Sequence, residues 1–163
     1  MATTSTVPFV IDGLLAAFNI ENYPEEYQER YGGLAGVLTH EAWPGPDATA
    51  EMVVLGEVTW DEYRIATIKA GRKQRQENYA VGFEVFIMGA PGSKPTDPST
   101  ARDRALEVLA AIEDVLADDP TISLAAGTVQ RIELEPTEAG PRVFEKGWAY
   151  RIAGRFNVHA RLQ

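Results

Sequence analysis

The hydrophobic positions repeat with two different periods, and these divide the chain into elements. From Gly147 to Leu162 the even positions read Trp148, Tyr150, Ile152, Gly154, Phe156, Val158, Ala160 and Leu162. The odd positions read Ala149, Arg151, Ala153, Arg155, Asn157, His159 and Arg161. A period of two held over sixteen residues predicts one long strand with an apolar face and a basic face. Tyr79, Val81, Phe83, Val85 and Ile87 repeat that period. Their alternates, Ala80, Gly82, Glu84, Phe86 and Met88, are less polar than a free surface, so Asn78 to Met88 predicts a strand that is central or covered on both faces.

A period near 3.6 governs two other stretches. Val7, Val10, Ile11, Leu14, Leu15 and Phe18 form the stripe of an amphipathic helix over Val7 to Asn19, with Pro8 tolerated in its first turn. Asp97 and Pro98 suit the cap and first position of a second helix. Ala101, Ala105, Val108, Leu109, Ile112, Val115 and Leu116 are its buried stripe, and Asp118-Asp119-Pro120 its stop. Two aspartates at a helix C-terminus oppose the helix dipole, and the sequence offers no reason for them.

Shorter signals fill the gaps. Val37 to Trp43 reads as a strand ended by the Pro44-Gly45-Pro46 turn, and Met52 to Val58 as another. Thr59 to Thr67 reads as a hairpin arm exposed on both faces, and residues 59–77 as a protruding hairpin or loop. Val129, Ile132 and Leu134 predict a strand ending near Pro136, followed by a turn from Glu138 to Lys146 into the last strand, its antiparallel partner. Residues 1–6 read as a flexible tail, and Asn22 to Gly33 as a helical turn from Pro24 or a loop. The sum is an α+β fold, a mainly antiparallel sheet packed against two amphipathic helices in a single domain. One sheet face then lacks a cover within the chain, which predicts a subunit interface.

Charge sharpens this picture. The net charge of -9 disfavours free nucleic acid as a partner. It is unevenly placed, with -8 in residues 1–57 and -1 in residues 58–163, which suits oriented assembly. Four basic residues, Lys69, Arg72, Lys73 and Arg75, fall within seven positions. With Arg151 and Arg155 they are candidate contacts to an acidic neighbour or to DNA passing through a channel; Arg161 extends the same patch if the strands are adjacent. Trp60, Tyr63 and Phe86 are candidate hydrophobic contacts between subunits.

Candidate chemistry is sparse. There is no cysteine, and the two histidines, His40 and His159, have no partner in sequence that would complete a metal or catalytic set, so no metal, cofactor or catalytic residue is expected. No run approaches the ~18 apolar residues of a membrane span, and Met1 to Thr6 lacks the basic start of a signal peptide, so a soluble protein without membrane partners is expected.

The Trp43 to Pro46 turn, the Met52 to Gly56 strand and the Tyr79 to Phe86 strand follow an N-terminal amphipathic helix. After them come the capped helix ending Leu116 to Thr121 and the long basic last strand. In that order they resemble the tail terminator, or tail completion, proteins of long-tailed bacteriophages. The resemblance covers nearly the whole chain and rests on element order, not on a short diagnostic motif. It implies a non-enzymatic structural protein of the virion, assembled in the host cytoplasm. Six copies would form a ring on the head-proximal end of the tail tube, stop tube polymerisation and offer a surface for head-tail joining. Its partners would be copies of itself, the tail tube protein and a head-tail connector or stopper protein, with DNA only in transit through the lumen. Two alternatives stand beside it: a small α+β enzyme or ligand-binding domain using His40 and Glu41, and another neck component such as an adaptor or stopper.

Overall fold

A computed structural model describes residues 5–45, 50–67, 73–88, 98–124, 129–144 and 147–162; within these, the side chains of residues 62–67, 73–75, 98, 143, 144, 147 and 162 are not described. The helices are α1 (Val7–Ala17), α2 (Glu25–Arg30) and α3 (Pro98–Asp118), and single 3-10 turns flank α2 at Ile20–Asn22 and Gly32–Leu34. The strands are β1 (Leu38–His40), β2 (Glu51–Thr67), β3 (Lys73–Met88), β4 (Val129–Phe144) and β5 (Gly147–Leu162). They form one sheet in the order β1-β2-β3-β5-β4, antiparallel throughout except for the short parallel β1–β2 pair. The α+β class expected from sequence is therefore the observed one.

Hydrophobic burial explains the layering. The even face of β5 (Ile152, Phe156, Val158, Ala160) and the odd face of β3 (Tyr79, Val81, Phe83, Val85, Ile87) lie under α1 and α3 in one continuous core. Every residue predicted for the α3 stripe is buried, and α1 contributes Val10, Leu14 and Phe18. Phe156 is the hub, 4.6 Å from the Phe83 ring and 5.6 Å from that of Phe18. Gly154 lets β5 pass beneath this stack, because a Cβ there would lie 2.5 Å from the Glu135 carbonyl oxygen and 2.7 Å from the Phe83 ring.

Three elements have bounds different from those the sequence predicts. The strand expected over Val37 to Trp43 is only three residues long; the chain leaves the sheet after His40 and turns at Gly45, φ +64°. The two segments expected at Met52–Val58 and Thr59–Thr67 are one strand of 17 residues. Register shifts between Leu55 and Val58 and between Trp60 and Glu62 are the reason, since each bulge displaces the alternation by one residue and makes a continuous strand read as broken. β4 does not end near Pro136, and residues 138–144 are strand instead of turn. Proline is tolerated there because β4 is the edge of the sheet, with a register shift between Pro136 and Glu138.

The aspartates at the end of α3 each have a partner. Asp118 accepts a 2.6 Å hydrogen bond from the Tyr31 hydroxyl and pairs with Arg30 at 2.8 Å. Asp119 accepts from the backbone N–H and hydroxyl of Thr121 (3.0 and 2.7 Å) and from those of Ser123 (2.5 and 2.9 Å), closing the turn that follows the helix. Asp97, the predicted cap of α3, lies outside the described residues.

Candidate assembly surface

The face of the sheet turned away from the helices carries two chemically distinct zones that adjoin. At one end Met52, Val54, Phe86 and Ala149 form a small apolar cluster, separate from the main core, with Met88 against it. Trp43 lies edge-on to Phe86, ring centroids 5.1 Å apart and planes at 73°. Phe86 is thereby 4% exposed, whereas Trp43 is 48% exposed and Leu38 50%. The apolar surface that reaches solvent here is thus Trp43 and Leu38 instead of the Phe86 singled out from sequence.

Directly beside this cluster an ionic row begins, with Arg151 the cross-strand partner of Phe86 and Glu84 that of Val54, and it runs along β5 away from the cluster. Arg151, on the odd face of β5, reaches across β3 to Glu84 (2.8 Å from Nε) and across β4 to Glu138 (3.1 Å). Arg155 forms a two-point pair with Glu135 at 2.8 and 3.1 Å, and Asn157 donates to the same carboxylate at 2.7 Å. Hydrogen bonds from Arg155 and Asn157 hold the Glu135 carboxyl below its usual range. The bonds that Arg151 donates to Glu84 and Arg155 to Glu135 raise the pKa of both guanidinium groups still further. His159 takes the same row onward, with Nδ1 3.2 Å from the side-chain oxygen of Asn78 and Nε2 3.6 Å from Glu133, which also pairs with Arg131.

The two arginines proposed as contacts are therefore matched by carboxylates of their own subunit. Bidentate and bridged pairs of this kind leave less charge for a polyanion than the sequence count implies. The signal was present in sequence, because Glu133 and Glu135 alternate on β4 as Arg155, Asn157 and His159 do on β5. The bulge after Pro136 then brings Glu138 onto the same face, which the alternation alone does not show.

Of the basic hairpin, Lys69 and Arg72 lie outside the described residues. Lys73 and Arg75 are placed by register only, opposite Thr67 and Ile65 on β2, with Arg75 also opposite Leu162 on β5. Tyr63 is likewise placed only by register, opposite Glu77. Trp60 is 43% exposed and packs against Tyr79 at 5.0 Å. No hydrogen bond or ion pair joins His40 to Glu41; the Nε2 of His40 and the Oγ1 of Thr39 are buried without a hydrogen-bond partner among the described residues, and Glu41 is exposed. No group of three or more metal-ligating side chains converges among the described residues. No helix among them is long and apolar enough to cross a membrane.

No family model and no curated protein matches the sequence. Among solved structures the fold is similar to that of a chain in the virion of a native gene transfer agent particle. The TM-score is 0.52 at 17% identity, over 91% of this chain and 94% of the other. At that identity the likeness is one of fold.

Proposed function

We propose that this chain is a structural protein of a phage-type virion, a tail terminator. Copies of it form a ring, with six subunits, on the head-proximal end of the tail tube. The ring ends tube polymerisation and presents the surface to which a head-tail connector or stopper protein joins, and DNA passes through its lumen in transit. The observation that carries this reading is the shared fold with a virion chain over nearly the full length of both. The element order noted in the sequence supports the same assignment independently.

The surface features fit a role in assembly. A subunit that seats copies of itself and different neighbours needs more than one contact zone. This sheet face offers an apolar cluster under Trp43 and, adjoining it, an ionic row through Arg151 and Arg155. The basic run Lys69 to Arg75 and the acidic first third of the chain supply opposite signs for oriented contact.

The deciding experiment is electron microscopy of the purified full-length chain over a range of concentrations, with gold-labelled chain located on assembled tails. The expected result is a sixfold annulus, found on tails only at the end of the tube that meets the head. A chain that stays monomeric at high concentration and labels no tail removes the proposal. Label elsewhere in the neck assigns the chain to an adaptor or stopper position instead.

A further inference from the structure

The turn between α3 and β4 holds two consecutive non-glycine residues in the left-handed region, Ile122 at φ +48° and Ser123 at φ +58°. Asparagine, aspartate and glycine take that region readily; for a β-branched residue such as isoleucine it is a strained outlier. Strain of this kind persists only where neighbouring contacts over-determine it. Here the contacts come from one carboxylate. Oδ1 of Asp119 receives the N–H and hydroxyl of Thr121, and Oδ2 receives the N–H and hydroxyl of Ser123.

What the strained turn accomplishes is visible in its side chain. Ile122 is 6% exposed and lies against Gly13, where a Cβ would come within 2.7 Å of its Cδ1. Gly13 is in the middle of α1, so Ile122 is the wedge that fits the notch in that helix. A pocket of about 220 Å³ opens beside the wedge, lined in part by Ala16, Tyr23, Tyr31 and Val115.

We propose that Asp119 is an acid-released catch: its ionised carboxylate holds the left-handed turn, the turn seats Ile122 in the Gly13 notch, and protonation releases α1 from that seat. Among the described residues, the groups facing the carboxylate do not include an ion-pair partner that would replace this role. Tyr23 and Tyr31 line the same pocket from the α1–α2 side, and Asp118 beside it is already engaged by Arg30 and Tyr31. Burial pushes the Asp119 carboxyl up, but the four donors outweigh it and hold it below the usual carboxylate range. A neutral carboxyl keeps fewer acceptor positions, and so does not hold all four donors. The catch is therefore closed at neutral pH and opens only as pH falls through that depressed value.

The test is amide hydrogen exchange and NMR on the full chain, wild type and Asp119→Asn, with Ser123→Gly added to the second. In Asp119→Asn at neutral pH, protection at Thr121, Ser123 and the α1 amides around Gly13 is expected to fall at least tenfold, with the centre of α3 unchanged. Adding Ser123→Gly, which takes the left-handed backbone without strain, is expected to restore most of that protection. In wild type, the Thr121 and Ser123 amide shifts are expected to titrate together as pH falls below the ordinary carboxylate range, before global unfolding. Protection within twofold of wild type in a folded Asp119→Asn overturns the proposal. So do wild-type amide shifts that change only with global unfolding, a readout that stands even where the variant fails to fold.

Discussion

Glu77 and Thr6, 71 residues apart, meet in the interior at the start of α1. The fully buried Glu77 carboxylate accepts the backbone N–H of Thr6 at 2.8 Å and its hydroxyl at 2.7 Å. Thr6 stands at the N-cap of α1, yet its side chain makes no capping bond within the helix, and no acidic residue lies in the first turn. The negative charge favoured at a helix N-terminus is supplied by the sheet. The Thr6 hydroxyl also meets that of Tyr79 at 3.0 Å and the Ser5 hydroxyl donates to the same Glu77 oxygen at 3.4 Å, while the other Glu77 oxygen, Oε1, has no hydrogen-bond partner among the described residues.

Removing the carboxylate leaves a buried N–H and hydroxyl without their acceptor. Glu77→Ala is expected to lower unfolding stability by roughly 1–3 kcal/mol, read as a reduced urea midpoint at unchanged slope. Exchange at the first amides of α1 should rise more than at α3. A midpoint equal to that of wild type would show that α1 is held by its apolar stripe alone.

The glycines of the last two strands provide a matched pair. Gly154→Ala forces a methyl group against the Glu135 carbonyl and the Phe83 ring, whereas a Cβ at Gly140 meets nothing within 4 Å. Thermal unfolding should show Gly154→Ala destabilised by about 1–3 kcal/mol and Gly140→Ala within about 0.5 kcal/mol of wild type. Equal effects at both positions would contradict the packing around Phe156.

High pH should unfold the protein through its tyrosines. Burial above all pushes the Tyr79 hydroxyl up to about 12, with the Glu77 charge acting in the same direction and the Thr6 hydrogen bond opposing it. Burial likewise raises Tyr31, helped by its bond to Asp118, and Tyr23. A phenol that ionises later in the folded chain contributes stability that is complete below pH 10 and lost as pH rises through the folded value. At about 1.4 kcal/mol per unit, the Tyr79 share is roughly 2–3 kcal/mol between pH 10 and 12. Chemical denaturation across that range should show the loss, and Tyr79→Phe should flatten it.

The proposed ring separates assembly from folding. Glutamate at Arg72, Lys73 and Arg75 together is expected to cut ring formation at least tenfold by gel filtration while Tm stays within about 2 °C, the result that separates a contact role from a folding role. Trp43→Ser is expected to act in the same sense through the apolar end of the sheet face. Infectious particles with normal tails from either variant would discard that surface as a contact.

The strong periodicities carried the fold. β5 has the bounds its alternation predicts, and α3 buries each residue of its stripe. What the sequence hid has physical causes. Bulges in β2 reset the alternation and split one strand into two apparent ones. Pro136 reads as a stop in any strand, but an edge strand accommodates it. Asp118 looked unfavourable because its partners, Arg30 and Tyr31, come from the end of α2 more than 80 residues earlier, whereas Asp119 closes a turn with Thr121 and Ser123, two and four residues on. Glu77 falls on the core face of β3 by the same period of two as Tyr79 and Val81, but its partner Thr6 lies 71 residues earlier, which no local spacing shows. Arg151 and Arg155 were legible as a basic face, but their carboxylate partners depend on strand order, which periodicity does not fix.

The proline-bearing margin formed by β4 has a further consequence for how this chain meets other β-structure. Pro136 and Pro141 offer no amide hydrogen, and the backbone steps out of register between them. A stray β-segment therefore finds an interrupted ladder there and cannot zip along it. Unwanted fibre growth from this flank is discouraged by the same residues that made the strand hard to recognise.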